Sequence, residues 1–221
     1  MRRAAAICFL SLESILYGLF LVGDLLHAYD TTWLKFSAIA LVAAAGLLAG
    51  KGTENRLTAA ALCLTLAADV FLLVLDAHYE TGVALFLAVQ LLYTLRLAAS
   101  GSSKPWRALT IRIVPALIAA AVALRFGALT TLSAAYIVWF AANLIDSFRL
   151  AAARPDRRRV CFAVGLALFF CCDLCVGAHN LPASALPAWL PGFAQIAMWG
   201  FYLPGQVLIL ASTEALGGRP A

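Results

Sequence analysis

Charged side chains are scarce in this sequence. They account for 12% of the 221 residues, whereas 64% of the residues are hydrophobic and the mean hydropathy is +0.93. A soluble domain carries about 25% charged residues, which it needs to cover a surface that faces water. The shortage of charge therefore excludes a water-soluble domain and indicates an integral membrane protein.

Eight apolar runs have the length of about 20 residues that a membrane-crossing helix needs. They are approximately residues 4–23, 33–50, 57–76, 81–99, 108–125, 130–149, 160–178 and 192–213. These runs lack the alternating pattern of transmembrane β-strands and are too long for them. The sequence predicts an all-α integral membrane protein, with one eight-helix transmembrane bundle over residues 1–221 and no separate soluble domain.

Lysine and arginine are distributed unevenly between the two sides of the predicted bundle. With a cytoplasmic N-terminus, fourteen of the sixteen lie on the cytoplasmic side, and only Lys35 and Arg125 lie outside. Such a bias sets the orientation of membrane proteins. We expect a multi-pass protein of the cell membrane with both termini in the cytoplasm, and a first run retained as a helix, since no small-residue cleavage site follows it. The net charge of +5 is expected to face lipid headgroups and not a nucleic acid.

A short set of polar side chains lies inside the predicted helices. An ionisable group in lipid is costly unless it is paired or faces water, so each is a functional candidate by default. The set consists of Glu13, Asp69, Gln90, Asn143, Asp173 and Gln206, accompanied by Tyr17, Tyr93, Tyr136 and Tyr202. No lysine or arginine is expected deep in a helix, where it would neutralise the acids.

Asp69 and Asp173 are predicted to lie at the same depth. At a rise of 1.5 Å per residue, they fall roughly 18 Å and 20 Å from the cytoplasmic starts of two helices that run in the same direction. Two neighbouring carboxyl groups in a low dielectric do not both ionise easily, so we expect one to keep its proton and the pair to support acid–base chemistry. A structural role and a proton or cation pathway are the alternatives, and Glu13 is either a third acid or a locally bonded one.

The stretches around the two aspartates resemble each other, as TLAADVFLL and LFFCCDLCV. In the helix after each stretch, an amide (Gln90 or Gln206) lies three or four residues from a tyrosine (Tyr93 or Tyr202). The pattern is consistent with a parallel repeat of four plus four helices, and equally with a chance resemblance.

Three cysteines surround Asp173 in FFCCDLCVG. Cys172 and Cys175 have the spacing of a redox pair, but such thiols work at exposed helix N-termini and these lie near mid-membrane. His78 and His179 fall at the outer ends of their helices, away from the cysteines, and a zinc site would need further ligands there. We interpret the thiols as small packing residues and expect neither a metal nor a cofactor.

Several stretches resemble a known family in their order and spacing. After the aspartate of the third helix come Glu80-Thr-Gly82 and FLAVQLLY, followed by VGLALFFCCD and FYLPGQVLI in the last two helices, while Trp33-Leu-Lys35 opens the second helix. Over nearly the whole chain these stretches resemble the YhhN/TMEM86 family of eight-helix membrane proteins, whose characterised members are lysoplasmalogenases. The resemblance implies hydrolysis of the vinyl-ether bond of a lysophospholipid, a lysoplasmalogen, to a fatty aldehyde and glycerophospho-ethanolamine or -choline.

The resemblance also implies roles for particular residues. By matching position, Asp69 and Asp173 would be catalytic, one protonating the vinyl ether and the other stabilising the resulting cation. The residues expected to orient the site or bind the substrate are Lys35, Gln90, Tyr93, Asn143, Tyr202 and Gln206, with Lys35 meeting the lipid phosphate at the outer rim. The family usually has a histidine where this chain has Gln90, which leaves open another lysolipid substrate, lipid binding without hydrolysis, or proton-coupled transport through the same acids.

Overall fold

The computed structural model describes residues 3–101, 104–181 and 187–216. These residues contain no β-strand and form eight α-helices: α1 Arg3–Leu26, α2 Thr32–Leu47, α3 Thr53–Asp69, α4 Tyr79–Ala99, α5 Pro105–Ala123, α6 Ala128–Ala153, α7 Arg157–Asn180 and α8 Leu190–Ala211. A π-helical turn, Val70–Val74, prolongs α3, and a 3₁₀ turn, Leu124–Phe126, prolongs α5. The predicted all-α class is confirmed.

Seven helices among the described residues are long and apolar enough to cross a membrane. The remaining one, α2, has 16 residues and spans only about 24 Å. The chain is therefore a multi-pass membrane protein by its apolar helices. Every predicted helix end falls within four residues of an observed one when the π and 3₁₀ turns are counted. The eighth crossing, the cytoplasmic termini and the parallel repeat stay predictions.

The outer surface of the bundle is apolar. On α5, the large side chains of Ile111, Leu117 and Val122 are each at least 60% exposed. Exposed apolar patches of this kind mark a surface made for a partner or for lipid. Lipid offers no hydrogen-bond partners to the backbone. A helix is suited to this surrounding because it satisfies nearly all of its own N–H and C=O groups internally.

Glycines bring α7 and α8 into close contact. A Cβ at Gly165 would lie 2.8 Å from Cγ1 of Ile209 and 2.9 Å from the carbonyl oxygen of Gly205, so only glycine fits this crossing. Small residues at helix crossings let two backbones approach in this way. One turn along α7, Phe169 is then held against Tyr202 of α8, with the two ring centroids 5.5 Å apart.

A proline in α8 changes how α1 packs there. Pro204 has no backbone N–H, so the carbonyl of Gly200, four residues earlier, lacks its usual helical partner. The hydroxyl of Tyr17 donates to this carbonyl oxygen at 3.1 Å. The interruption in α8 therefore supplies the acceptor that joins it to α1.

Candidate functional site: two tyrosine-bound aspartates

Asp69 lies at the C-terminal end of α3, immediately before the π-helical turn, and is 4% exposed. The hydroxyl of Tyr202 donates to its carboxyl group, lying 2.9 Å and 2.8 Å from the two oxygens. The π turn is closed by the Leu75 N–H, which donates to the Val70 carbonyl five residues earlier at 2.8 Å. Single π-helical turns within α-helices occur frequently at functional sites.

Asp173 of α7 has the same kind of partner from a different helix. The hydroxyl of Tyr136, on α6, donates to Oδ2 of Asp173 at 2.5 Å. Tyr136 is buried, whereas Asp173 is partly exposed. Each carboxyl group is thus positioned by one phenol, and Asp173 is the more accessible of the two.

The two acids belong to a single cluster. Asp69 and Asp173 are close enough to interact electrostatically, and Cys172 interacts with both. The ring of Phe169 lies 5.5 Å from that of Tyr202, and Phe140 lies 5.1 Å from Phe169 and 5.8 Å from Tyr136. A continuous set of aromatic rings therefore joins the tyrosine that binds Asp69 to the tyrosine that binds Asp173.

A buried amide network adjoins the Tyr136 hydroxyl. Asn143 of α6 donates to Oε1 of Gln90 at 2.9 Å, and its own Oδ1 accepts from Thr94 at 2.9 Å. The hydroxyl of Thr94 in turn accepts from Nε1 of Trp139 at 2.9 Å. These bonds fix Gln90 so that its side chain faces Tyr136. Gln90 and Asn143, both predicted to orient the site, are bonded to each other beside the Tyr136–Asp173 pair, and Nε2 of Gln90 makes no hydrogen bond within the described residues.

A buried arginine supports this network, so the expectation that no basic residue lies deep in a helix is wrong. Arg112 of α5 is 1% exposed and donates from Nε to Oδ1 of Asn143 at 2.8 Å. Its Nη2 donates to Asp146 at 2.6 Å, and its Nη1 to the carbonyl of Ala108 at 2.8 Å. The guanidinium therefore neutralises Asp146 of α6 and leaves the charge of the two clustered aspartates unpaired.

Lys35 is paired at the opposite end of the cluster. Its ammonium group lies 2.7 Å from Oδ2 of Asp24, whose Oδ1 also accepts from the hydroxyl of Thr31. The ammonium lies over the ring of Trp199, 4.9 Å from its centroid, and that ring is 5.3 Å from the ring of Tyr202. The predicted rim lysine is thus one aromatic layer away from the tyrosine that binds Asp69. The acidic partner Asp24 was not predicted.

Three other predicted residues are buried with polar atoms that make no hydrogen bond within the described residues: Glu13, Tyr93 and Gln206. Gln206 lies one turn from Tyr202, and Tyr93 packs its ring 5.4 Å from that of Phe162. Neither oxygen of Glu13 is bonded, and the neighbouring Ser14 bonds the carbonyl of Leu10 instead. Buried polar atoms are nearly always satisfied, whereas each of these groups lacks a partner within the described residues.

The cysteines around Asp173 differ in their environments. Cys172 is buried beside the two carboxyl groups, whereas Cys171 and Cys175 are partly exposed. All six cysteines of the chain are free thiols in this structure. No group of three or more metal-ligating side chains lies together among residues 3–101, 104–181 and 187–216.

Comparison with known proteins identifies one match. The model of the YhhN family matches residues 30–213, a range that contains both aspartates, both tyrosines, the amide network, Arg112 and Lys35. Among curated proteins and among solved structures, nothing matches the chain significantly.

Proposed function

The chain belongs to the YhhN family, and on that basis we propose that it is a lysoplasmalogenase-like hydrolase. Its substrate would be a lysophospholipid with a vinyl-ether chain, and its products a fatty aldehyde and glycerophospho-ethanolamine or -choline. The observation that carries the proposal is the pair of neighbouring carboxyl groups, each bound by a tyrosine from a different helix. Two carboxyl groups in one apolar site are suited to protonating an uncharged, acid-labile bond.

The reaction needs one proton donor and one group that stabilises positive charge. A carboxylic acid transfers its proton to the vinyl carbon remote from the ether oxygen, which forms a C–H bond and an oxocarbenium ion. The second carboxyl group, as carboxylate, faces that cation and accepts a proton from the attacking water. When the hemiacetal collapses, the second carboxyl group gives its proton to the departing glycerol oxygen and the first takes up the proton of the hemiacetal hydroxyl. Both carboxyl groups thus return to their starting states, and one water is consumed overall.

The tyrosines position the carboxyl groups for this chemistry. The Tyr202 hydroxyl bridges both oxygens of Asp69, whereas the Tyr136 hydroxyl engages only Oδ2 of Asp173. Oδ1 of Asp173 is thus left free of the tyrosine, and this carboxyl group is the more exposed one. We assign Tyr136 and Tyr202 as positioning residues, because each acts on the reacting lipid through its aspartate.

The distance from Lys35 to the acids suits a lysolipid. Its ammonium is within about 10 Å of the Tyr202 ring, the sum of the 4.9 Å and 5.3 Å steps through Trp199. In a lysoplasmalogen, six bonds join the phosphorus to the first vinyl carbon, which at about 1.2 Å per bond, as in an extended peptide, gives roughly 7 Å. A phosphate near Lys35 would therefore place the vinyl ether at the level of the Tyr202 ring, whose hydroxyl bonds Asp69, if Lys35 exchanges part of its contact with Asp24 for the phosphate.

Gln90 limits how protons move in this chain. An amide side chain donates and accepts hydrogen bonds but does not take up a proton as a histidine does. Asn143 fixes it through Oε1, and Arg112 fixes Asn143. We propose that Gln90 orients Tyr136, and that protons pass only among the carboxyl groups, water and substrate.

The proposal is tested with purified protein and a 1-alkenyl lysophosphoethanolamine, by measuring aldehyde release. Asp69→Asn and Asp173→Asn are each expected to lower the rate by about 100-fold or more, the range for loss of a general acid or base. Asp30→Asn, in the exposed turn between α1 and α2, is the matched control and should keep the wild-type rate. A 1-alkyl lysolipid of equal chain length should not be cleaved, because it has no vinyl carbon to protonate.

Two results would reject the hydrolase. One is wild-type protein that releases no aldehyde; the other is full activity in both aspartate variants. Proton-driven flux of an unmodified solute into liposomes, lost in the same two variants, would instead support the proton-coupled transporter. Saturable lysolipid binding without any cleavage would support lipid binding alone.

A further inference from the structure

A second polar region lies at the end of the bundle where α3 and α7 begin and α4 ends. Here an open cavity of about 590 Å³ is lined by these helix ends, by α6, and by the segment that follows α8. Four arginines line it, Arg96, Arg157, Arg158 and Arg159, and we call it the arginine cavity. Its volume is in the usual range for small-ligand sites, about 300–1,000 Å³.

Two of the four arginines are neutralised by neighbouring acids. Arg158 lies 3.4 Å from Glu214, and Arg159 lies 2.7 Å from Asp156. Asp156 also caps α7 by accepting from the backbone N–H groups of both arginines. The first-turn N–H groups of α7 are therefore occupied, and the capacity of the cavity for an anion depends on the two remaining arginines.

Arg96 is the central group of the cavity. It is 3% exposed, and its guanidinium lies over the ring of Phe162, 3.8 Å from the centroid. Nη2 donates to the carbonyl of Ser212 at 3.3 Å, whereas Nη1 is buried and makes no hydrogen bond within the described residues. A buried charged donor without an acceptor is costly. Nη1 of Arg96 is such a donor, and it lies at the cavity.

No carboxylate within the described residues forms an ion pair with the Arg96 guanidinium. Glu54 lines the same cavity and interacts with Arg96 only beyond ion-pair distance. Arg157, exposed at the start of α7, forms no ion pair within the part of the chain that the structure describes. The cavity therefore offers one buried, ring-stacked guanidinium and one exposed guanidinium to an incoming anion.

From this arrangement we propose that the arginine cavity binds a phosphate group, with Arg96 as the fixed donor and Arg157 as the closing one. Guanidinium groups pair with phosphate oxygens through two parallel N–H bonds, which Nη1 of Arg96 is free to begin. In the predicted orientation this end faces the cytoplasmic leaflet, where anionic lipids concentrate. The phosphate comes either from an anionic lipid headgroup or from a free phosphate.

This phosphate is distinct from that of the substrate proposed above. Along α7, eleven residues separate Phe162 from Asp173, which is about 16 Å of helix. Along α3, fifteen residues separate Glu54 from Asp69, or about 22 Å. A lysolipid phosphate reaches only roughly 7 Å to its vinyl ether. A phosphate in the arginine cavity therefore does not belong to a lipid that is being cleaved at the aspartates, and the site goes beyond the proposed hydrolysis.

The test measures binding by titration calorimetry and by the unfolding temperature of the purified full-length protein in a neutral detergent. One arm uses inorganic phosphate against chloride of equal ionic strength, and the other uses dioctanoyl phosphatidic acid against dioctanoyl glycerol. Saturable binding and a higher unfolding temperature are expected in at least one phosphate arm, since a ligand that binds only the folded state stabilises it. A response in both arms identifies the phosphate group itself, and one in the lipid arm alone identifies a lipid headgroup.

Variants separate this site from general salt effects. Arg157→Met should weaken binding at least fivefold without unfolding the protein, because this side chain is exposed. Arg96→Met should abolish binding if it folds, whereas Arg149→Met, with a 77% exposed side chain on α6, should bind as the wild type does. Absence of saturable binding in both arms, or unchanged affinity in Arg157→Met, would overturn the proposal. Aldehyde release by Arg157→Met should stay at the wild-type rate, so this test is independent of the hydrolase assay.

Discussion

Replacing Arg112 by methionine should destabilise the bundle by about 2–3 kcal/mol. Removing one partner of a buried ion pair typically costs about 3–5 kcal/mol, because the other charge stays buried without compensation. The side chain of Asp146 is 26% exposed, so water repays part of that cost. The loss also removes one of the two donors to Oδ1 of Asn143, but Thr94 still satisfies that oxygen.

A double-mutant cycle isolates the ion pair from the other effects of the substitution. Arg112→Met, Asp146→Leu and the double variant are compared by reversible unfolding in mixed micelles titrated with a denaturing detergent. Methionine keeps most of the aliphatic packing of the arginine stem, so the charge and its hydrogen bonds account for most of the difference. The double variant should be less destabilised than the sum of the single ones, with a coupling of about 1–2 kcal/mol.

Two outcomes would refute this reasoning. In the first, Arg112→Met unfolds with the free energy of the wild type, which would mean that the buried guanidinium is not needed to hold α5 on α6. In the second, the two substitutions are additive within about 0.5 kcal/mol, as for independent sites. Arg149→Met provides the matched control, because Arg149 lies 3.6 Å from the same Asp146 but is largely exposed, and it should cost less than about 1 kcal/mol.

Three further substitutions test the packing around the acids. Gly165→Ala should cost about 1–3 kcal/mol, because the new Cβ would meet α8 at under 3 Å, whereas Gly177→Ala, with open space around it, should not; unfolding in mixed micelles compares them. Tyr17→Phe should cost about 1 kcal/mol, but close to nothing in a Pro204→Ala background, where the helix regains its own donor. Lys35→Met should raise the KM for lysolipid several-fold and leave kcat within twofold, since it removes a headgroup contact and no reacting group; an unchanged KM would argue against that role.

Hydropathy and depth alone predict much of this architecture. The apolar runs locate every helix, since a membrane leaves few other ways to satisfy the backbone. A fixed rise per residue places Asp69 and Asp173 at one level, and the structure brings their carboxyl groups into one cluster. Spacing along a single helix does not determine which helices become neighbours, because that depends on how the side chains of different helices pack together.

The tyrosine partners illustrate this limit. The recurring pattern relates Tyr202 of α8, in the helix after that of Asp173, to Tyr93 of α4, in the helix after that of Asp69. In the structure, Tyr202 bonds Asp69, and Asp173 is bonded by Tyr136 of α6. Tyr202 thus reaches across to α3 from a helix that packs closely on α7 through Gly165 and Gly205, and no periodicity along one helix predicts such a partner.

Arg112 was missed for a different reason. A sequence window assigns a basic residue near the end of an apolar run to the interface, because long cationic side chains usually reach the headgroups. The stretch TIRIVPALI does place this arginine about two turns inside α5. An acceptor on another helix decides whether it reaches outward or inward, and Asp146 and Asn143 of α6 supply that acceptor.

The shortness of α2 has a consequence for the surrounding bilayer. A helix of about 24 Å is some 6 Å shorter than a typical hydrocarbon core of about 30 Å. If α2 crosses the membrane beside its neighbours, either the bilayer next to it is thinner than elsewhere, or the polar ends of the helix lie closer to the bilayer centre. Lys35, near the start of α2, would then lie at the rim of a dimple in the membrane surface.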